Sequence, residues 1–288
     1  MKKILVPVDF SDNTDSVCQY ALQIARKSPS EIMLFHAFFD QVIITDGGFP
    51  TGIDTESMIN EQLLQDIKSR AKADILELQK NILDQVKDEG IKNIKIIYTL
   101  EGGEPENEII GFAKTYQPDM IVMGASGSGQ KDFLQGSVSK KVMNNINIPV
   151  FSVPKLEQIP TIKEIVYTTE FINDDVAALK KIFELLKPFD IRIYCLHILI
   201  GKKIDEVESL MKKVMDQFAE EEKNGVIQFT LKEETDIHED INNFIKANNI
   251  NLISFIPHKR SLFHILFKHT ITKKDLLQFN MPLLAIHV

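Results

Sequence analysis

Short apolar runs separated by helical stripes set the rhythm of the chain. In its first half the runs fall at 4–8, 32–36, 94–98, 120–123 and 149–153. They are rich in β-branched residues and almost free of charge, as expected of parallel strands covered on both faces. Between them Val17, Tyr20, Ala21 and Ile24 recur at helical spacing. A longer stripe of Leu63, Ile67, Ala71, Ile75, Leu78, Ile82 and Val86 advances in steps of three and four and stops at Gly90. Such alternation predicts right-handed crossovers and a doubly wound α/β fold.

The same rhythm is written twice. Ile4-Leu-Val-Pro-Val-Asp9-Phe10 resembles Ile165-Val-Tyr-Thr-Thr-Glu170-Phe171, and the run ending in His36-Ala37 resembles the one ending in His197-Ile198, both 161 positions on. Farther along, Ile109 to Lys114 matches Ile241 to Lys246 at 132 positions, and Ser137 to Lys141 with Pro149 matches Thr270 to Lys274 with Pro282 at 133. Matches in conserved order indicate an internal duplication. Its boundaries are expected at 1–154 and 160–288. The first copy is 29 residues longer between its second and third strands, where the stretch 46–52 (Asp-Gly-Gly-Phe-Pro-Thr-Gly) carries turn chemistry ahead of a longer helix.

Composition narrows the functions. A length of 288 residues leaves room for two cores, and a formal net charge of −8 argues against a general nucleic-acid or anionic-membrane binder. The opening run is too short for a signal peptide, and no later run reaches the length of a membrane span. Cys18 and Cys195 stand far apart in unrelated contexts, so neither a disulfide framework nor a zinc knuckle is implied and a cytoplasmic setting is expected.

The chemistry concentrates where a strand gives way to glycine. After the run 120–123 comes Gly-Ala-Ser-Gly-Ser-Gly-Gln-Lys-Asp-Phe-Leu-Gln-Gly-Ser, residues 124–137, leading into a helix near Ser137. Ligands of open α/β sheets sit at the carboxyl ends of the strands, and a helix N-terminus with glycine before it presents bare amides and a positive dipole end to an anion. Gly124, Gly127 and Gly136 would let main-chain N–H groups face phosphate oxygens, with Ser137 and Ser139 as hydroxyl donors. Asp9, after the first strand, suits a ribose hydroxyl or a base amino group; capping the helix that starts near Asn13 is the competing role. His36 and His197 end equivalent strands and are expected to be hydrogen-bonded core histidines. The familiar P-loop and dinucleotide signatures are absent.

The set formed by Asp9 in Val-Pro-Val-Asp-Phe-Ser-Asp, Gly124-Ala-Ser-Gly127, Gly136-Ser137 and Pro149-Val150 resembles the universal stress protein family, specifically its tandem two-domain members. The resemblance covers nearly the whole chain. It implies two α/β domains, each a five-stranded parallel sheet in order 3-2-1-4-5 flanked by helices. It also implies ATP, with or without magnesium, held in the first domain by Val8, Asp9, Ala37, Met123, Gly124, Gly127, Gly136, Ser137, Val138 and Ser139. Nucleotide-binding members carry G-x2-G-x9-G-[ST]; here eight residues, 128–135, separate the last two glycines. The second copy has Ile256, Lys259 and His269 in place of the glycines, Pro257 in place of an amide donor, and Glu170 in place of the Asp. It is expected to have lost the site, and its basic stretch 258–274 reads as a solvated face or an anion- or partner-binding patch.

Three functions are consistent with these residues: a nucleotide-holding stress or regulatory protein without efficient turnover, a slow ATPase, and a nucleotide-free scaffold whose two domains pair through their fifth strands. No candidate catalytic base or metal cluster stands out. A homodimer and an unidentified protein partner are both compatible with the sequence.

Overall fold

The computed structural model describes residues 1–40, 53–125, 137–169, 171, 173–199, 204–233, 237–257 and 281–288, the side chains of 53–59, 137, 173 and 237–240 excepted. The first half runs β1 (Lys2–Pro7), α1 (Thr14–Ala25), β2 (Ser30–Phe38), α2 (Ile53–Asp88), β3 (Ile94–Gly102), α3 (Pro105–Tyr116), β4 (Met120–Gly124), α4 (Ser137–Asn145) and β5 (Val150–Val153). The second runs β6 (Glu164–Thr168), α5 (Asn173–Leu185), β7 (Arg192–Leu199), α6 (Ile204–Met215), α7 (Ala219–Lys223), β8 (Ile227–Glu233), α8 (Ile237–Ala247), β9 (Leu252–Phe255) and β10 (Leu283–Ala285).

All ten strands form one sheet, in the order β3-β2-β1-β4-β5-β10-β9-β6-β7-β8. Each half therefore shows the expected 3-2-1-4-5 order with parallel neighbours. The halves meet antiparallel, Val150 opposite Ala285 and Ser152 opposite Leu283. The two five-stranded sheets expected from the sequence are joined through their fifth strands, the pairing raised there for a scaffold, and this removes two edges that would otherwise be left without partners. The register carries the same numerical relation as the sequence repeat. Ile4 lies beside Ile32 and Met120, and Ile165 beside Ile193 and Leu252.

Strand alternation builds two cores, one on each face. Ile4, Val6, Leu34, Met120, Val122 and Phe151 face the layer of α1 and α2, and the same cluster runs on into Ile165, Tyr167 and Leu179 of the second half. Leu5, Phe35, Ile121, Met123 and Val150 face α3 and α4, in a cluster that continues to Ile253, Leu283 and the α8 residues Ile241 and Phe244. Because both faces are covered, the central strands are apolar, with Met120, Ile121 and Val122 of β4 completely buried, whereas the outer β3 and β8 carry charged residues.

Local chemistry sets the helix ends. Pro105 opens α3, where a missing N–H costs nothing, and Gln117 at φ 50° closes it in the left-handed conformation. The longer connection of the first half is largely α2, 36 residues against 12 for α6. Its turn-rich stretch 46–52 lies outside the described residues.

The connection between the halves is stitched down along one side of α1. Asn13 Nδ2 donates to Val153 O at 2.8 Å, and Ser16 Oγ receives the Leu156 amide at 3.0 Å. Gln23 gives Nε2 to Pro160 O and takes the Ile162 amide, both at 3.0 Å.

Candidate functional site

The carboxyl ends of β1, β2 and β4 converge at the point where the strand order reverses, the usual ligand position in open α/β sheets. Pro7 pairs with Phe35, so Val8 and Asp9 leave β1 alongside His36 and Ala37 at the end of β2. Ile4 pairs with Met120, so the same exit lies alongside Met123 and Gly124. Ala37, Met123 and Val138 all belong to the face covered by α3 and α4, so three of the expected contacts come from one side of the sheet.

The exit from β1 is a defined turn. Val8 donates its amide to Phe35 O at 2.8 Å, extending the ladder by one residue. Asp9 is exposed, and its Oδ1 receives both the Ser11 amide, at 3.1 Å, and the Ser11 hydroxyl, at 2.6 Å. This is an Asx turn. It also answers the capping question: the N-cap of α1 is Asn13, which makes no side-chain capping bond, while the Asp9 carboxylate organises the turn before it. Phe10 sits at φ 54°, in the left-handed region, and its ring tilts against His36 at 4.5 Å. His36 Nδ1 lies 2.8 Å from Val8 O; a carbonyl only accepts, so this nitrogen carries the proton.

On the β4 side, Ala125 is buried and donates its amide to Val153 O at 2.8 Å. Ser139, in the first turn of α4, is 5% exposed and donates Oγ to Ala125 O at 3.3 Å. Its hydroxyl thus ties the helix start to the strand end. Gly127 and Gly136 lie outside the described residues, as does the side chain of Ser137, although its backbone opens α4. The structure thus brings together Val8, Asp9, Ala37, Met123, Gly124, Val138 and Ser139. Asn13 and Ser11 were not singled out from the sequence; the Asp-x-Ser spacing was the one legible signal, for the Asx turn.

The second half repeats the backbone of this exit with more deeply buried residues. Thr169 donates to Leu196 O as Val8 does to Phe35 O, Phe171 adopts φ 55°, and His197 Nδ1 donates to Thr169 O at 2.7 Å. His197 is 2% exposed, Ile256 6%, and Pro257 is buried. Behind them Tyr167 gives its hydroxyl to Asp175 at 2.5 Å, with both residues buried. Burial, then the nearby Asp175 charge, pushes the Tyr167 hydroxyl well above its ordinary pKa, and burial does the same to the Cys195 thiol. Glu170, Lys259 and His269, together with the rest of 258–280, lie outside the described residues.

The strand order of each half, parallel throughout and reversing beside its first strand, defines a doubly wound α/β protein. Residues 1–154 match the family model described as the Universal stress protein family. The chain is 30% identical to the universal stress protein YxiE of Bacillus subtilis over 152 residues, 52% of this chain and 97% of that protein. It is 27% identical to the universal stress protein MJ0577 of Methanocaldococcus jannaschii over 157 residues, 54% of this chain and 95% of that one. Over its whole length the fold matches the crystal structure of a universal stress protein from Archaeoglobus fulgidus, with a TM-score of 0.66 at 19% identity, covering 99% of this chain and 96% of that one. The chain belongs to the universal stress protein family. No helix among the described residues is long and apolar enough to cross a membrane.

Proposed function

We propose that this protein is a nucleotide-holding regulator of the stress response, with ATP held by the first of two tandem domains, 1–154, while the second, 160–288, lacks the site. The observation that carries the reading is the convergence of Val8-Asp9, Ala37 and Met123-Gly124 beside the start of α4, on a chain whose sequence supplies Gly127, Gly136 and Ser137 between them. The donor set fits an adenine nucleotide. Main-chain amides and the positive end of α4 suit a polyphosphate, and the Asp9 carboxylate suits a ribose hydroxyl or base amino group. Bound ATP would supply a charged tail for the α4 start to grip; Ser137, Val138 and the main-chain amide of Ser139 would hold it there, with magnesium optional. The Ser139 hydroxyl, expected from the sequence to donate to phosphate, is buried and donates to Ala125 O instead. No residue is assigned a catalytic role, and the protein is read as cytoplasmic.

Protein purified without added ligand is expected to release adenine nucleotide when denatured, as detected by mass spectrometry. Gly136→Glu, which sets a carboxylate where the phosphates would lie, is expected to abolish this. Unchanged nucleotide content in that variant would remove the assignment.

A second reading, a nucleotide-free scaffold, has two observations of its own: the loop one residue shorter than the family spacing, and the β5–β10 pairing that already joins the halves. Slow ATP hydrolysis would revive the enzyme reading if phosphate release exceeded that of Gly136→Glu.

A further inference from the structure

Among the described residues, a side chain of the second half bonds directly to the backbone of α4. His287, just beyond β10, is 4% exposed, and its Nε2 lies 2.7 Å from Met143 O in the last turn of α4. The carbonyl can only accept, so Nε2 carries the proton and donates. His287 is itself held firmly. Lys181 Nζ of α5 donates to its carbonyl at 2.9 Å, and the preceding Ile286 is fully buried with its amide on Phe255 O.

Two other contacts of α4 come from within the first half. Ser139 Oγ ties its first turn to Ala125 O, and Lys141 pairs with Glu106 of α3. The His287 bond is different in origin, because it reaches across from the half expected to have lost the site. It is also not a by-product of the internal symmetry. The position 133 residues earlier is Pro154, whose ring nitrogen is the backbone nitrogen and carries no hydrogen, so the side chain there cannot give the reciprocal bond.

We propose that His287 is a positioning residue for the nucleotide site: it fixes α4 from behind, through Met143 O, and so sets where the helix start meets the phosphate tail. The second half is then kept as a buttress for the first half's site. This rests on the reading that α4 receives the phosphates. The span from Met143 to Ser137 is under two turns, short enough for a rigid helix to carry a shift of its last turn to its first.

The test uses the full chain and two ligands. His287→Ala is expected to weaken ATP binding about five-fold, the scale of one buried hydrogen bond, and to leave adenosine, which has no phosphate, unchanged. His287→Gln, which keeps an amide donor, is expected to recover most of the loss. Amide exchange at Lys140 to Met143, the first amides with an intrahelical acceptor, is expected to quicken in ligand-free His287→Ala and not in His287→Gln. Equal losses for ATP and adenosine, or a lowered melting temperature with unchanged ATP affinity and unchanged exchange, would reduce His287 to cement between the halves and overturn the inference. If the wild type bound neither ligand, the nucleotide reading would fail by itself, and the exchange comparison would still decide whether His287 positions α4.

Discussion

The carboxyl ends of β1–β2 and β6–β7 are built on one backbone plan and finished in opposite ways. Both continue the ladder by one amide, both turn through a phenylalanine at positive φ, and both lock a histidine onto the carbonyl at the strand exit. In the first half the exit residue is an exposed aspartate, and the histidine is only half-buried. In the second the histidine is 2% exposed, and a buried Tyr167–Asp175 pair stands where the first half has Val6 and Thr14. Left-handed backbone at a phenylalanine costs free energy, so its presence in both copies reflects the turn rather than the ligand. Only what is attached to the turn differs. At the described residues the strand exit of the first half is the more exposed, with Asp9 exposed and His36 half-buried against a buried His197.

Substitutions at equivalent positions should expose that difference. The largest effect is expected at the turn phenylalanines. Phe171→Ala, at a residue 1% exposed, should lower unfolding stability by about 3–4 kcal/mol, and Phe10→Ala, at a partly buried one, by about 1–2 kcal/mol. Alanine at positive φ is strained alike in both, so the difference reports packing. Comparable losses in denaturant titrations would mean that the first end is as closed as the second. Next, Asp175→Ala should cost about 2 kcal/mol by leaving the Tyr167 hydroxyl buried without its acceptor. Thr14→Ala at the equivalent site should cost under about 1 kcal/mol, because the Thr14 hydroxyl is buried and makes no hydrogen bond.

The smallest expected effect is a pH dependence confined to the first half. Hydrogen bonds from Lys95 and then Tyr116 hold the Glu31 carboxyl below its ordinary value of 4.5. A depressed folded-state pKa stabilises above the unfolded value and is lost as pH falls through the lowered one. Wild-type stability should therefore drop below about pH 4.5, and Glu31→Gln should flatten part of that acid limb. An identical acid limb in the variant would show that Glu31 gains nothing from its partners in the fold.

Much of this was legible in the sequence because it is local. The five runs of the first half became β1 to β5 within a few residues at each end, and the offsets between copies reappear as strand register. The partners that act across the chain were not legible. Hydrophobic period reveals which face of a strand is buried, and the repeat raised pairing of the fifth strands, but neither gave its antiparallel register, nor that Asn13, Ser16 and Gln23 fasten a connection about 140 residues away. Asp9 shows the limit within one residue. Its type suggested an acceptor, and its spacing allowed a helix cap, whereas Ser11 decided the geometry by taking Oδ1. His287 left no trace at all, because a lone histidine near a chain end has no local pattern to betray its reach to Met143.

The comparison between the two ends is tested most directly by the stoichiometry of ATP binding to the intact chain, measured by titration calorimetry. One nucleotide per chain, lost in Gly136→Glu, is the expected result. Two nucleotides per chain, or none, would contradict the assignment of an open site in the first half and a filled one in the second.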